Sequence, residues 1–95
     1  MNRYFEDLGG RWKEAARRRQ AEVEAPELDA KVALELLELA RVAAHTQERR
    51  FAPLASYMAG VAAERLRRAR PGTDEEAVAE YVREVRLELE REPPV

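Results

Sequence analysis

The stretch VALELLELARVAA, Val32 to Ala44, limits the possible folds more than any other part of the chain. At the helical spacing of about 100° per residue, it and its flanks leave one polar strip: Lys31, Glu35, Glu38, Arg41 and His45. Leu28, Val32, Ala33, Leu36, Leu37, Leu39, Ala40, Ala43 and Ala44 cover the rest of the circumference. A helix this apolar is stable in water only when other elements surround it, so it is expected to be the centre of a helical core. It is not a membrane span, because Glu35, Glu38 and Arg41 interrupt it.

The surrounding elements must come from the rest of the chain. Gly and Pro punctuation divides the chain into four helical stretches and suggests no strand. The first is expected from about Asn2 to Val23, with Tyr4, Phe5, Leu8, Trp12, Ala15 and Ala16 on one face. Gly9-Gly10 weakens it by about 1 kcal/mol per glycine, so a bend or break is expected there. EAPELD marks a connection around Pro26, and the second helix follows to about Gln47. Pro53 suits the first position of the third, whose buried face would be Leu54, Met58, Val61, Ala62, Leu66 and Ala69. RPGTDEE closes that helix, and Thr73 with Glu76 matches a capping box opening the fourth. There Ala77, Val78, Tyr81, Val82, Val85 and Leu89 are expected inward, with Pro93-Pro94 as the stop. Short connections favour antiparallel neighbours. The expected fold is all-α, an up-down four-helix bundle, as one domain over residues 1–95.

A chain of 95 residues builds one thin core, burying roughly 60–65% of the surface exposed when unfolded. It has no cysteine and one histidine, which rules out a disulfide framework and gives little basis for a transition-metal centre. No basic-then-apolar leader opens it, so a cytoplasmic location is expected. Dense Glu and Arg with few amides (Asn2, Gln20, Gln47) suggest a heat-adapted source. The net charge of −2 hides an alternation: residues 1–20 carry +3, 21–47 carry −4, 48–72 carry +4 and 73–95 carry −5. In a cyclic bundle each helix would then lie beside helices of opposite sign, which disfavours wrong neighbours.

Several side-chain groups could carry function. Two adjacent arginines, Arg49 and Arg50, precede a helix N-terminus and follow His45 at a helix C-terminus. Free N–H groups with neighbouring cations suit a phosphate or carboxylate, so His45, Arg49 and Arg50 are candidate anion ligands. The same residues also serve as a cap and a turn without any ligand. Small residues on the third helix, Ser56, Ala59, Gly60 and Ala63, allow close approach of another helix, either the first helix or a second copy. Leu34 and Val42, within or beside the polar strip, extend that candidate interface. Glu76, Glu80, Glu84, Glu88 and Glu92 repeat every four residues, either as a docking stripe for a basic partner, as a weak divalent-cation surface, or paired with Arg65, Arg68 or Arg17–Arg19. The arginine runs ARRRQ and RLRRAR could meet RNA phosphates, but they lack stacking aromatics. No nucleophile stands beside an oriented base, so no catalytic residue is assigned.

From Leu34 to Ala63 the chain reads LELLELARVAAHTQERRFAPLASYMAGVAA. A Leu-rich helix ending in Ala44-His45, then Arg49, Ala52-Pro53-Leu54, and Gly60 before Ala62-Ala63, resembles the core of a family of uncharacterised small helical domains. Members of that family occur alone or appended to molybdenum-cofactor guanylyltransferase-like proteins of actinobacteria. The chain departs from the pattern at Thr46 and Arg50, and ERLRR follows Ala63 where a Gly is usual. The resemblance implies that His45–Gly60 is the characteristic region and that the domain has a link to cofactor-biosynthesis proteins. It is not expected to lend guanylyltransferase activity, because these 95 residues show no nucleotide-binding domain. The expectation is a non-enzymatic interaction domain without cofactor or metal, acting as a homodimer or accessory subunit. The alternatives are a small-anion module built on the turn and, third, an RNA-associated protein.

Overall fold

The computed structural model describes residues 2–92. Four α-helices form: α1 (Arg3–Arg17), α2 (Ala30–Thr46), α3 (Phe51–Ala69) and α4 (Glu75–Glu90), with no strand among the described residues. The all-α class with four helices is as expected. The chain divides into two compact units, Met1–Ala30 and Lys31–Val95.

In the first unit, Asn2 opens α1 by accepting a hydrogen bond from the Phe5 N–H at 3.3 Å, and Glu6 lies favourably in the first turn. The expected bend or break at Gly9-Gly10 does not occur, because α1 runs through both glycines as one helix. A Cβ at Gly9 would stand 2.6 Å from the Pro26 carbonyl oxygen, so glycine here lets the following segment lie against the helix. Gly10 has no such role, since nothing lies within 4 Å of where its Cβ would be. The helix also stops short of Val23. Gln20 takes a left-handed conformation (φ 58°), Ala21 N–H donates to the Ala16 carbonyl at 3.0 Å, and Gln20 N–H donates to that of Arg17 at 3.0 Å. This is a Schellman closure on a non-glycine residue. It costs about 1 kcal/mol or more and leaves no signal in residue type. Tyr4 and Phe5 meet edge to face with ring centroids 5.1 Å apart.

In the second unit, Leu39 of α2, Ala63 of α3, and Val78 and Val82 of α4 make the buried cluster, with Val32, Leu36, Ala55, Ala59 and Leu89 packed against it. Apolar cover around α2 is one-sided: Leu39, Val42 and Ala43 are buried, whereas Leu34 and Leu37 are exposed. Three helices in this unit are too few to enclose a fourth face. Helix starts also differ from expectation. α3 begins at Phe51, so Pro53 falls later in the first turn, where a missing N–H still breaks no intrahelical bond. α4 is capped by Asp74, whose carboxylate accepts from Ala77 N–H at 2.9 Å, while the Thr73 hydroxyl donates to the Arg70 carbonyl at 2.6 Å. The Thr73–Glu76 capping box is therefore replaced by an Asp74 cap. α4 ends at Glu90 on Arg91, and the proposed stop at Pro93-Pro94 lies outside the described residues.

Cations across the α2–α4 seam hold these two acid-rich helices together. Arg86 reaches Glu35 at 3.1 Å and Glu90 at 3.1 Å, Arg41 reaches Glu90 at 3.3 Å and Glu38 at 2.8 Å, and Lys31 reaches Glu76 at 3.2 Å. Charge alternation therefore does not set the neighbours, since two helices of like net sign touch through their few arginines and one lysine. The hydrogen bonds that Arg86 donates to the Glu35 and Glu90 carboxylates raise its pKa above the ordinary value. The hydrogen bond and charge of Arg41 hold the Glu38 carboxyl below the usual range. Arg67 pairs with Glu64 and with Glu75, tying the end of α3 to the start of α4.

Candidate functional site

Toward α3 the packing of α4 is partial: Ala63 joins the buried cluster with Val78 and Val82, and the surface beside it stays open. Between α3 and α4 lies an apolar groove of about 250 Å³, lined by Leu39, Ala55, Met58, Ala59, Ala62, Tyr81, Val82, Val85 and Leu89. Helical spacing puts Ala55, Met58, Ala59 and Ala62 along one face of α3, and Tyr81, Val82, Val85 and Leu89 along one face of α4. The small alanines leave the hollow open, and Met58, 71% exposed, stands at its mouth. Val85 is 42% exposed, and Leu54 and Tyr57 extend the apolar surface along α3. Tyr81 also lines a wider hollow at the α3–α4 turn with Leu66, Arg70, Glu80 and Glu84. Leu54, Met58 and Val85 were expected to be core residues, and the structure leaves all three exposed. Residue type carries no signal for this, since a covered stripe and an open one have the same periodicity.

Acidic side chains border the groove on α4. Of the series from Glu76 to Glu92, Glu76 pairs with Lys31 and Glu80 approaches Arg83 at 4.0 Å. Among the described residues, Glu84, Glu88 and Glu92 make no ion pair, and neither do Arg65 and Arg68, once candidates to neutralise them. On the helical wheel Glu88 falls between Glu84 and the groove-lining Tyr81 and Val85.

The candidate interface residues separate. Leu34 is exposed, but Val42 and Ala63 are buried inside the chain. Ala59 packs on the buried cluster, so the small-residue face of α3 meets α2 and α4 rather than presenting itself whole to a partner. The Ser56 hydroxyl donates to the Ala52 carbonyl at 3.1 Å, and Gly60 is exposed with nothing within 4 Å of a Cβ position.

The anion candidates His45, Arg49 and Arg50 are all exposed, around the α2–α3 turn. Arg50 pairs with Glu48 at 3.1 Å. The amides an anion would need are committed: Phe51 N–H donates to the Glu48 carbonyl at 2.9 Å, Ala52 N–H donates to that of Arg49 at 3.2 Å, and Pro53 has none. Among the described residues no group of three or more His, Cys, Asp or Glu is placed to hold a metal ion. Nor is any helix among them long and apolar enough to cross a membrane.

No curated protein and no solved structure matches the chain. Residues 7–94, which include α2, α3, α4 and most of α1, match the family model described as Domain of unknown function (DUF6457). The chain belongs to that family.

Proposed function

We propose that the chain is a non-enzymatic interaction domain of the cytoplasm whose contact face is the α3–α4 groove. The observation that carries this reading is the groove itself: an apolar hollow with Met58 and Val85 exposed at its edge and, beside it, Glu84 and Glu88 without an ion pair among the described residues. Exposed apolar surface of this kind is costly in water and is removed by a bound protein face. The anion alternative draws less support, because the leading amides of α3 are donated within the turn and Arg50 is already paired. As an accessory subunit, the domain would serve molybdenum-cofactor proteins, the context implied by the resemblance of Leu34–Ala63. Molybdenum-cofactor genes beside its own are the expected neighbours.

Light scattering over a concentration series tests the contact face, with wild type beside Met58→Glu and Val85→Glu. The expected result is association in the wild type and monomer mass in both variants at unchanged helicity, since a charge in an apolar contact is desolvated without a partner. Association that persists undiminished in both folded variants overturns the groove as contact face.

A further inference from the structure

The apolar stripes of α2 and α4 do not by themselves fix how far one helix lies along the other. Val32, Leu36 and Leu39 on α2 and Val78, Val82 and Leu89 on α4 belong to one apolar cluster. Each series follows the helical repeat, so a slide of one turn still lays apolar side chains on apolar side chains. The charges of the same seam are less tolerant. Arg86 donates to Glu35 of α2 at 3.1 Å and to Glu90 at 3.1 Å, and Glu90 accepts from Arg41 of α2 at 3.3 Å. The seam is therefore crossed in both senses, once from a cation on α4 and once from a cation on α2. The first crossing is well enclosed, with the Arg86 side chain 15% and the Glu35 side chain 21% exposed.

Lys31 beside Glu76 and Arg41 beside Glu90 show that α2 and α4 run in the same direction. A slide of α4 by one turn toward the end of α2 brings Arg86 to the place of Glu90, against Arg41, and leaves Val82 opposite Glu35. A slide the other way brings Glu90 to the place of Arg86, against Glu35, and carries Arg86 into the place of Val82. Each slide sets like charges together and leaves an enclosed charge unpaired, which is strongly unfavourable. We infer that Glu35, Arg41, Arg86 and Glu90 are a register lock, admitting one placement of α4 along α2 where the apolar stripes admit several. The lock serves placement more than strength. Arg86 Nε is buried without an acceptor among the described residues, and an apolar side chain of similar volume would serve stability as well. Tyr81, Val82, Val85 and Leu89 line the groove from α4, so the lock also fixes that lining, whether or not the groove is a contact face.

Two nitroxide labels read the register, and the chain has no native cysteine to interfere. His45→Cys in the last turn of α2 and Glu80→Cys in the first half of α4 are exposed positions outside the four charges. The distance between the labels is measured by pulsed EPR on full-length labelled chain diluted in unlabelled chain. The parent is expected to give one narrow distance. Exchanging the α4 charges in Arg86→Glu/Glu90→Arg keeps the composition but favours the slide that brings position 86 to Arg41. A second distance, shorter by up to about 5 Å, is then expected. Adding Glu35→Arg/Arg41→Glu exchanges the α2 charges as well and should restore the parent distance. A neutral variant, Glu35→Met/Arg86→Met/Arg41→Gln/Glu90→Gln, is expected to keep its helicity and to show more than one distance. An α4 exchange that keeps the parent distance at unchanged helicity overturns the lock, and so does a fourfold exchange that fails to restore it. Where the α4 exchange unfolds the chain, the neutral variant decides: the single parent distance there would mean that the apolar stripes alone set the register, and would overturn the lock.

Discussion

The two sides of α4 have similar sequence and opposite fates. Toward α2, buried Val78 and Val82 pack with Leu39, and Arg86, Arg41 and Lys31 neutralise carboxylates from both helices. Toward α3, Tyr81 and Val85 border an open hollow, and Glu84 and Glu88 make no ion pair among the described residues. Both sides consist of β-branched or aromatic residues beside glutamates. The difference lies in what stands across: α2 brings Leu39, Arg41 and Lys31, whereas α3 brings Ala55, Ala59, Ala62 and Met58 along the groove and a cation only near its end, where Arg67 reaches Glu75. An acidic helix is therefore tolerated beside another acidic helix when a few cations reach across the seam. A seam can equally remain open when its facing residues are too small to fill it.

The largest effect expected from this contrast is on the core. Leu39→Ala should cost about 2–4 kcal/mol of stability in urea unfolding, because a buried side chain leaves a cavity. Met58→Ala should cost under about 0.5 kcal/mol in the monomeric state, as an exposed position does. Equal losses would mean that the groove is as well sealed as the α2–α4 seam. The first unit offers a similar contrast between adjacent glycines. Gly9→Ala should destabilise by roughly 1–3 kcal/mol, because its Cβ meets the Pro26 backbone and something must shift. Gly10→Ala should instead stabilise by about 0.5–1 kcal/mol, since the position is helical and open. Thermal unfolding of the two variants decides the sign at each site.

The smallest effect is electrostatic. Glu38 has its folded pKa lowered by Arg41, so its contribution is present above the ordinary glutamate value of about 4.3 and is lost as pH falls through the lowered folded value. Removing that partner in Arg41→Gln should flatten the acid limb of stability below the ordinary glutamate value. Arg83→Gln, on the exposed side of α4, should leave the limb nearly unchanged, because its Glu80 contact at 4.0 Å is weak. An identical flattening in both variants would show that the seam with α2 is electrostatically no different from the surface.

Much of this was legible in the residues. The all-α class, the four helices, and the connections around Pro26, Gln47–Arg50 and Pro71-Gly72 follow from periodicity and punctuation. Boundaries went astray where a helix ended without its usual marker or where two adjacent residues could each cap it. Gln20 closes α1 in a conformation usually left to glycine, and Asp74 caps α4 in place of the neighbouring Thr73. Of the site, the residues forming apolar stripes were visible, but not which stripe would stay open. The small-residue face and the His45–Arg50 turn drew attention by composition. In the structure, Ala59 and Ala63 are largely internal, and the amides at the start of α3 are committed within the turn.

What the sequence by itself determined is local: which segments are helical, where each apolar face lies, and that the glutamates of α4 repeat along one side. These depend on backbone propensity and on a period of about 3.6 residues, which a single segment already contains. What only the tertiary structure decided is pairing: that acid-rich α2 lies against acid-rich α4, that Gly9 receives the Pro26 carbonyl, and that Met58 and Val85 border a groove instead of a core. Pairing depends on side-chain volume and on cations contributed from distant positions. No periodicity within one helix records either.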